Sequence, residues 1–184
     1  SPGFLRVLFP SSPLLARAGY PQIGFVGLTT GEVWRTSDAG ISWKRTNTPA
    51  NLIGQIRDFT FKDSLTGWIA VSQASVYPGC YKTTDGGITW TALSPLGQRM
   101  AIFYNRKTQA LILNGWNGAV SIVSLDFGAT WAGTGNVTNS CGMAFTDSLH
   151  GLMTIFPANL GGFYSSTTDG GLTWADLTHT SEAY

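Results

Sequence analysis

The chain has 184 residues, 43% of them hydrophobic, which is enough for one domain with a sizeable core. Its net charge is +1 and only 11% of its residues are charged, so neither sign accumulates to draw a nucleic acid or an anionic membrane surface. No run of about 18 apolar residues is present, and no membrane-spanning helix is expected.

Taken in order, the chain reads as short strands broken by turn residues. A first group comprises Phe4 to Phe9, a Pro/Ser-rich loop from Pro10 to Pro21, Ile23 to Leu28, a tight turn at Thr29-Thr30-Gly31, Glu32 to Thr36, and Ile41 to Arg45. A second group runs through Ile56 to Phe61, Trp68 to Ser72, a longer loop ending in Tyr77-Pro78-Gly79, Cys80 to Thr83, and Ile88 to Leu93. The third has Met100 to Tyr104, Ala110 to Leu113, a short turn at Gly115-Trp116-Asn117-Gly118, Val120 to Val123, and Ala129 to Ala132. The fourth has Met143 to Phe145, Leu152 to Phe156, a loop at Pro157 to Gly161, Phe163 to Ser166, and Leu172 to Leu177. No stretch keeps a helical period for three turns, so an all-β protein is expected.

One pattern, Ser/Thr-x-Asp-x-Gly-x-Ser/Thr-Trp, closes each group. It spans Thr36, Asp38, Gly40 and Trp43; Thr83, Asp85, Gly87 and Trp90; Ser124, Asp126, Gly128 and Trp131; and Thr167, Asp169, Gly171 and Trp174. Successive Asp residues are 47, 41 and 43 positions apart, the length of one propeller blade. Within a hairpin turn the Asp carboxylate can accept backbone N–H groups, the Gly supplies a left-handed conformation, and the Trp is large enough to bury against a neighbour. Four equivalent carboxylates suit a structural role, since a catalytic acid is needed once or twice. The expected fold is a β-propeller segment of four four-stranded antiparallel blades, about 4–46, 56–94, 99–133 and 141–178. These blades either close on themselves or form part of a larger ring. The first residue is not Met and the ends carry no closure strand, which favours a segment of a larger protein with further blades or a second copy completing it.

The octapeptide resembles the Asp-box, or bacterial neuraminidase repeat, found in sialidases, xyloglucanases, sortilin-type receptors and photosystem II assembly factors. Phe61-Lys62-Asp63-Ser64-Leu65-Thr66-Gly67-Trp68 and Phe145-Thr146-Asp147-Ser148-Leu149-His150-Gly151-Leu152 are similar to a turn of the assembly-factor repeats. The resemblance implies propeller blades with the box between third and fourth strands, and a functional face on the opposite side. That face would carry Gln55, Arg57, Tyr77, Arg99, Asn114, Trp116 and Asn117, suited to stack on and hydrogen-bond a carbohydrate or to dock a protein.

A sialidase resemblance would require three arginines, a Tyr nucleophile with a Glu partner, and a general acid. Phe4 to Pro10 matches the sialidase Phe/Tyr-Arg-Ile-Pro motif only loosely, and of the two glutamates Glu32 lies at a strand turn while Glu182 is near the end. A xyloglucanase resemblance would require two Asp residues across a cleft, and Asp58 is the single unrepeated candidate near that face. The expectation is therefore a non-catalytic binding or assembly module, with a glycoside hydrolase as the alternative.

Two cysteines, Cys80 and Cys141, lie in different groups and are read as buried thiols. With His150 and His179 they share no metal-ligand spacing, and neither metal nor cofactor is expected. A surface covered by Ser, Thr, Asn, Gln and Gly in place of charge suits an extracytoplasmic location. Ser1 to Pro10 is not a signal peptide as it stands, which fits a processed or truncated start. Asn136-Val137-Thr138 matches a glycosylation sequon on an expected loop.

Overall fold

The computed structural model describes residues 4–8, 23–50, 52, 54–72, 78–94, 97–155 and 163–177. Among these every regular element is a strand, and no helix is long and apolar enough to cross a membrane. Four four-stranded antiparallel sheets follow the chain without crossovers. The chain divides into two compact units, Ser1–Ile102 and Phe103–Tyr184.

The first unit holds the sheet β1 (Phe4–Leu8), β2 (Gly24–Leu28), β3 (Val33–Thr36), β4 (Lys44–Arg45), and the sheet β5 (Gln55–Phe61), β6 (Gly67–Ser72), β7 (Cys80–Thr83), β8 (Thr91–Ala92). Strands β2 and β6 are buried along nearly their whole length, as strands covered on both faces must be. Their side chains join one core of Phe25, Val33, Ile56, Phe59, Phe61, Ile69, Val71, Tyr81 and Trp90. Phe25 stacks on Phe61 with centroids 4.7 Å apart and meets the edge of Trp90 at 6.2 Å. Burial of a Phe of this kind contributes about 2–3 kcal/mol.

Strand β9 (Arg99–Tyr104) begins the third sheet, which continues in the second unit with β10 (Leu111–Gly115), β11 (Val120–Ser124) and β12 (Ala132–Thr138). The fourth comprises β13 (Ser140–Phe145), β14 (Gly151–Ile155), β15 (Phe163–Thr167) and β16 (Ala175–Leu177). The second unit repeats the packing of the first: Phe145 meets Trp174 edge-on at 5.9 Å, and Ile112 takes the place of Phe25. In β14 burial alternates, with Gly151 and Met153 inside and Leu152 and Thr154 outside. Leu152, Tyr164 and Leu177 share that outer face and are 47%, 44% and 45% exposed.

Two sequence expectations need correction. The fourth strands begin after the box Trp, at Lys44, Thr91, Ala132 and Ala175, not at Ile41, Ile88, Ala129 and Leu172. The box Asp binds the amides just before the Trp, so those groups cannot join a ladder. The Asn136 sequon falls within β12 and not in a loop, because Val120 pairs with Thr138 and Gly118 N donates to Asn139 Oδ1 at 2.9 Å, extending the hairpin.

Candidate functional site

The box is built the same way four times. In the second, Asp85 Oδ1 accepts the amides of Ile88 at 3.0 Å and Thr89 at 2.9 Å, while the hydroxyls of Thr83 and Thr89 donate to its two oxygens. Thr83 Oγ1 in turn accepts the amide of Gly87 at 2.8 Å. Asp38, Asp126 and Asp169 accept the corresponding amides of Ser42, Thr130 and Thr173. Hydrogen bonds to the ionised form favour it, and the side-chain and backbone bonds from Ser42 and Thr130 hold Asp38 and Asp126 down to about 2. Gly87 has φ of 80°, and a Cβ there would lie 2.2 Å from Phe25 Cε1, so only glycine lets the turn settle on the preceding sheet. Gly171 stands in the same relation to Ile112.

The turns between first and second strands sit beside the boxes. Asp63 accepts the amides of Leu65 and Thr66, and Asp147 those of Leu149 and His150. Gly86 N donates to Leu65 O and Gly170 N to Leu149 O, both at 2.8 Å, tying turn to box within each sheet. Asn105 Nδ2 donates to Ser148 O and Gly170 O, which binds the third sheet to the fourth.

At the other end of the first unit lie Gln55, Arg57, Asp58 and Arg99. Gln55 and Arg57 are half-buried, with Arg57 at a bulge between Ile56 and Asp58 and its guanidinium pKa lowered by burial. Asp58 Oδ1 accepts its neighbour's amide, Phe59 N, at 2.9 Å, and Oδ2 accepts Ile102 N on β9 at 3.2 Å. Arg99 is not a surface residue, being only 4% exposed. It runs beneath Gly79, where an added Cβ would meet Arg99 Cγ at 2.8 Å, and burial pulls its pKa down to about 10. Burial pushes the neighbouring Cys80 thiol up. Tyr77 lies outside the described residues.

In the second unit Trp116 and Asn117 form the β10–β11 turn, with Asn117 and Gly118 both at positive φ and Ala119 N donating to Trp116 O at 3.2 Å. Asn117 is exposed and Trp116 half-buried. Asn114 is fully buried and does not reach that surface. Among the described residues no three His, Cys, Asp or Glu side chains converge as metal ligands.

The BNR/Asp-box repeat matches residues 81–92, the second of the four turns that share this bonding. The chain is built from β-propeller blades, and the second of them carries an Asp-box repeat. Among curated proteins no sequence matches it. Among solved structures it is similar to the GH74 enzyme of Niastella koreensis, at 22% identity and a TM-score of 0.65 over 84% of this chain and 27% of that one. It is similar also to YCF48 bound to D1 peptide, at 16% identity and a TM-score of 0.68 over 97% of this chain and 56% of that one. The GH74 xyloglucanase of Xanthomonas campestris gives 14% identity and 0.63 over 85% and 28%. The chain thus spans about a quarter of the length of the GH74 enzymes and about half that of YCF48.

The first unit also carries a feature that the sequence does not reveal. A surface cavity of about 170 Å³ runs along the outer hairpin of the first blade and is lined by Arg35, Ser37, Ser42, Lys44, Arg45, Thr46, Asn47 and Ile88. Its cations alone stand out in the comparison of repeats: no other blade places three cations on this hairpin.

Proposed function

We propose that this chain acts as a non-catalytic binding or assembly module with a protein ligand. The carrying observation is the state of its acids. Each Asp and Glu among the described residues is engaged in the fold: the four box residues, Asp63 and Asp147 in their turns, Asp58 between two strands, Asp176 on Ser165 Oγ, and Glu32 on Trp34 and Arg45. A glycoside hydrolase needs two carboxyl groups facing a cleft, and no such pair faces one among the described residues. A carbohydrate ligand is the second reading, supported by the half-buried indole of Trp116 next to exposed Asn117. The similarity to YCF48 bound to D1 peptide favours protein. An extracytoplasmic location fits the low charge content.

Peptide and glycan arrays probed with the protein and with Trp116→Ala test the proposal. Peptide binding weakened by the substitution supports it; glycan binding alone, lost in the variant, overturns the choice of protein. We further propose that the outer face of Leu152, Tyr164 and Leu177 meets another copy or further blades, since exposed apolar surface of this kind is otherwise avoided. Light scattering of the chain, alone and with Leu152→Ser and Tyr164→Ser, tests this: a monomer in both cases, equally soluble, would contradict it.

A further inference from the structure

Two box turns of the first unit enclose the cationic cavity, and three observations make it more than a solvated charged face. First, Arg35 and Lys44 are directly opposed across β3 and β4, a like-charge pairing that costs stability unless an anion sits between them. Second, closure of the hairpin does not need these cations. In the third blade the positions equivalent to Arg35, Lys44 and Arg45 are Val123, Ala132 and Gly133, yet the hairpin closes the same way: Thr46 Oγ1 donates to Val33 O, and Thr134 Oγ1 to Ser121 O, both at 3.1 Å. Third, the site is organised. Arg35 Nε donates to Gly86 O of the next blade at 2.7 Å, which fixes the guanidinium plane. Asn47 is held by its amide on Ile88 O and by its carbonyl, which accepts Trp90 N.

The acids nearest the cavity are already committed. Asp38 accepts both the amide and hydroxyl of Ser42, and Glu32 pairs with Arg45 at 3.3 Å. Lys44 has no ion-pair partner among the described residues. Ile88, 53% exposed, and Ile41, 88% exposed, add apolar surface on the same two boxes.

We propose that this cavity binds a carboxylate of an acidic protein segment, with an apolar side chain of that segment on Ile88. It takes the protein-binding function as given and places a contact beside the two boxes of the first unit. Paired guanidinium and ammonium donors suit a carboxylate, which a fixed Arg can hold by two parallel bonds.

The test is an amide-shift titration of the isotope-labelled protein with three peptides: one with glutamates flanking a leucine and both ends blocked, its glutamine counterpart, and the glutamine peptide with a free C-terminal carboxylate. Saturable shifts at Ser37, Ser42, Lys44 to Asn47 and Ile88 are expected with the glutamate peptide, whereas binding of the free terminus alone would overturn an acidic segment as the source of the carboxylate. Lys44→Gln, an exposed position, should weaken binding about tenfold and leave the spectrum otherwise intact. Arg45→Gln is the second variant should the first be poorly folded. Shifts confined to Trp116 and Asn117 would overturn the cavity while leaving the protein-binding function standing. Equal binding of the glutamine peptide, no saturable shift with any peptide, or binding of a sulfated oligosaccharide in place of the peptide would overturn the cavity as a carboxylate site. Hydrolysis of xyloglucan by the same sample would instead overturn the protein-binding function.

Discussion

Asp58 Oδ2 accepts the amide of Ile102 at 3.2 Å, so a carboxylate on the first strand of one blade holds the first strand of the next. Asp58→Ala leaves Phe59 N and Ile102 N without this acceptor and is expected to cost about 1–3 kcal/mol. Asp58→Asn keeps one carbonyl oxygen and should cost less. Chemical denaturation of both variants checks the order, and equal stability of Asp58→Ala and the parent would show that the contact is unimportant.

The turn carboxylates, in the boxes and at Asp147, make the fold acid-sensitive in a defined window. Asp38 and Asp126 are lowered to about 2 by hydrogen bonds led by the side chains of Ser42 and Thr130, and Asp147 to about 2 by the amides of His150 and Leu149. Groups with depressed values stabilise the folded state above their unfolded pKa of about 3.9, and that stabilisation is lost as pH falls through the folded value. Tm is expected to be insensitive to these groups from neutral pH to about 4 and to drop between about 4 and 2. Asp126→Asn should flatten part of that drop.

The turn glycines separate into those that pack, as Gly87 of the second box does, and those that only turn, as Gly118 between β10 and β11 does. Gly87→Ala places a methyl group against Phe25 and strains a φ of 80°, for an expected loss of about 2–4 kcal/mol. Gly118→Ala meets nothing within 4 Å, so only the strain of its φ of 83° remains, about 1 kcal/mol. Thermal unfolding of the pair tests whether box-to-blade packing dominates.

Cys80 is fully buried and its thiol is pushed up by burial, so little thiolate forms at neutral pH. Alkylation followed by peptide mass analysis should leave Cys80 unmodified in the native protein and label it on unfolding. Rapid native labelling would place Cys80 at an open edge.

The residues differ in how far the sequence revealed them. The box was legible because one octapeptide contains both the acceptor, Asp85, and the amides it binds, so local spacing fixes the geometry. The start of each last strand was misplaced because alternation cannot reveal that Asp38 takes the Ser42 amide away from the ladder. Arg99 and Asn114 looked like surface residues because their burial depends on neighbouring strands, in the case of Arg99 on Gly79 packing over it. The cations themselves are visible in the repeats, but the cavity is not, because Ile88 of the second box comes beside Arg35 and Lys44 of the first only in the folded chain.

The central claim is that these blades bind and do not hydrolyse, and it is tested most directly by following release of reducing ends from xyloglucan and of sialic acid from sialosides, with the parent protein and Asp58→Asn side by side. No release above the buffer rate by either protein is the predicted result. Turnover by the parent that disappears in Asp58→Asn, with folding unchanged, would contradict the claim.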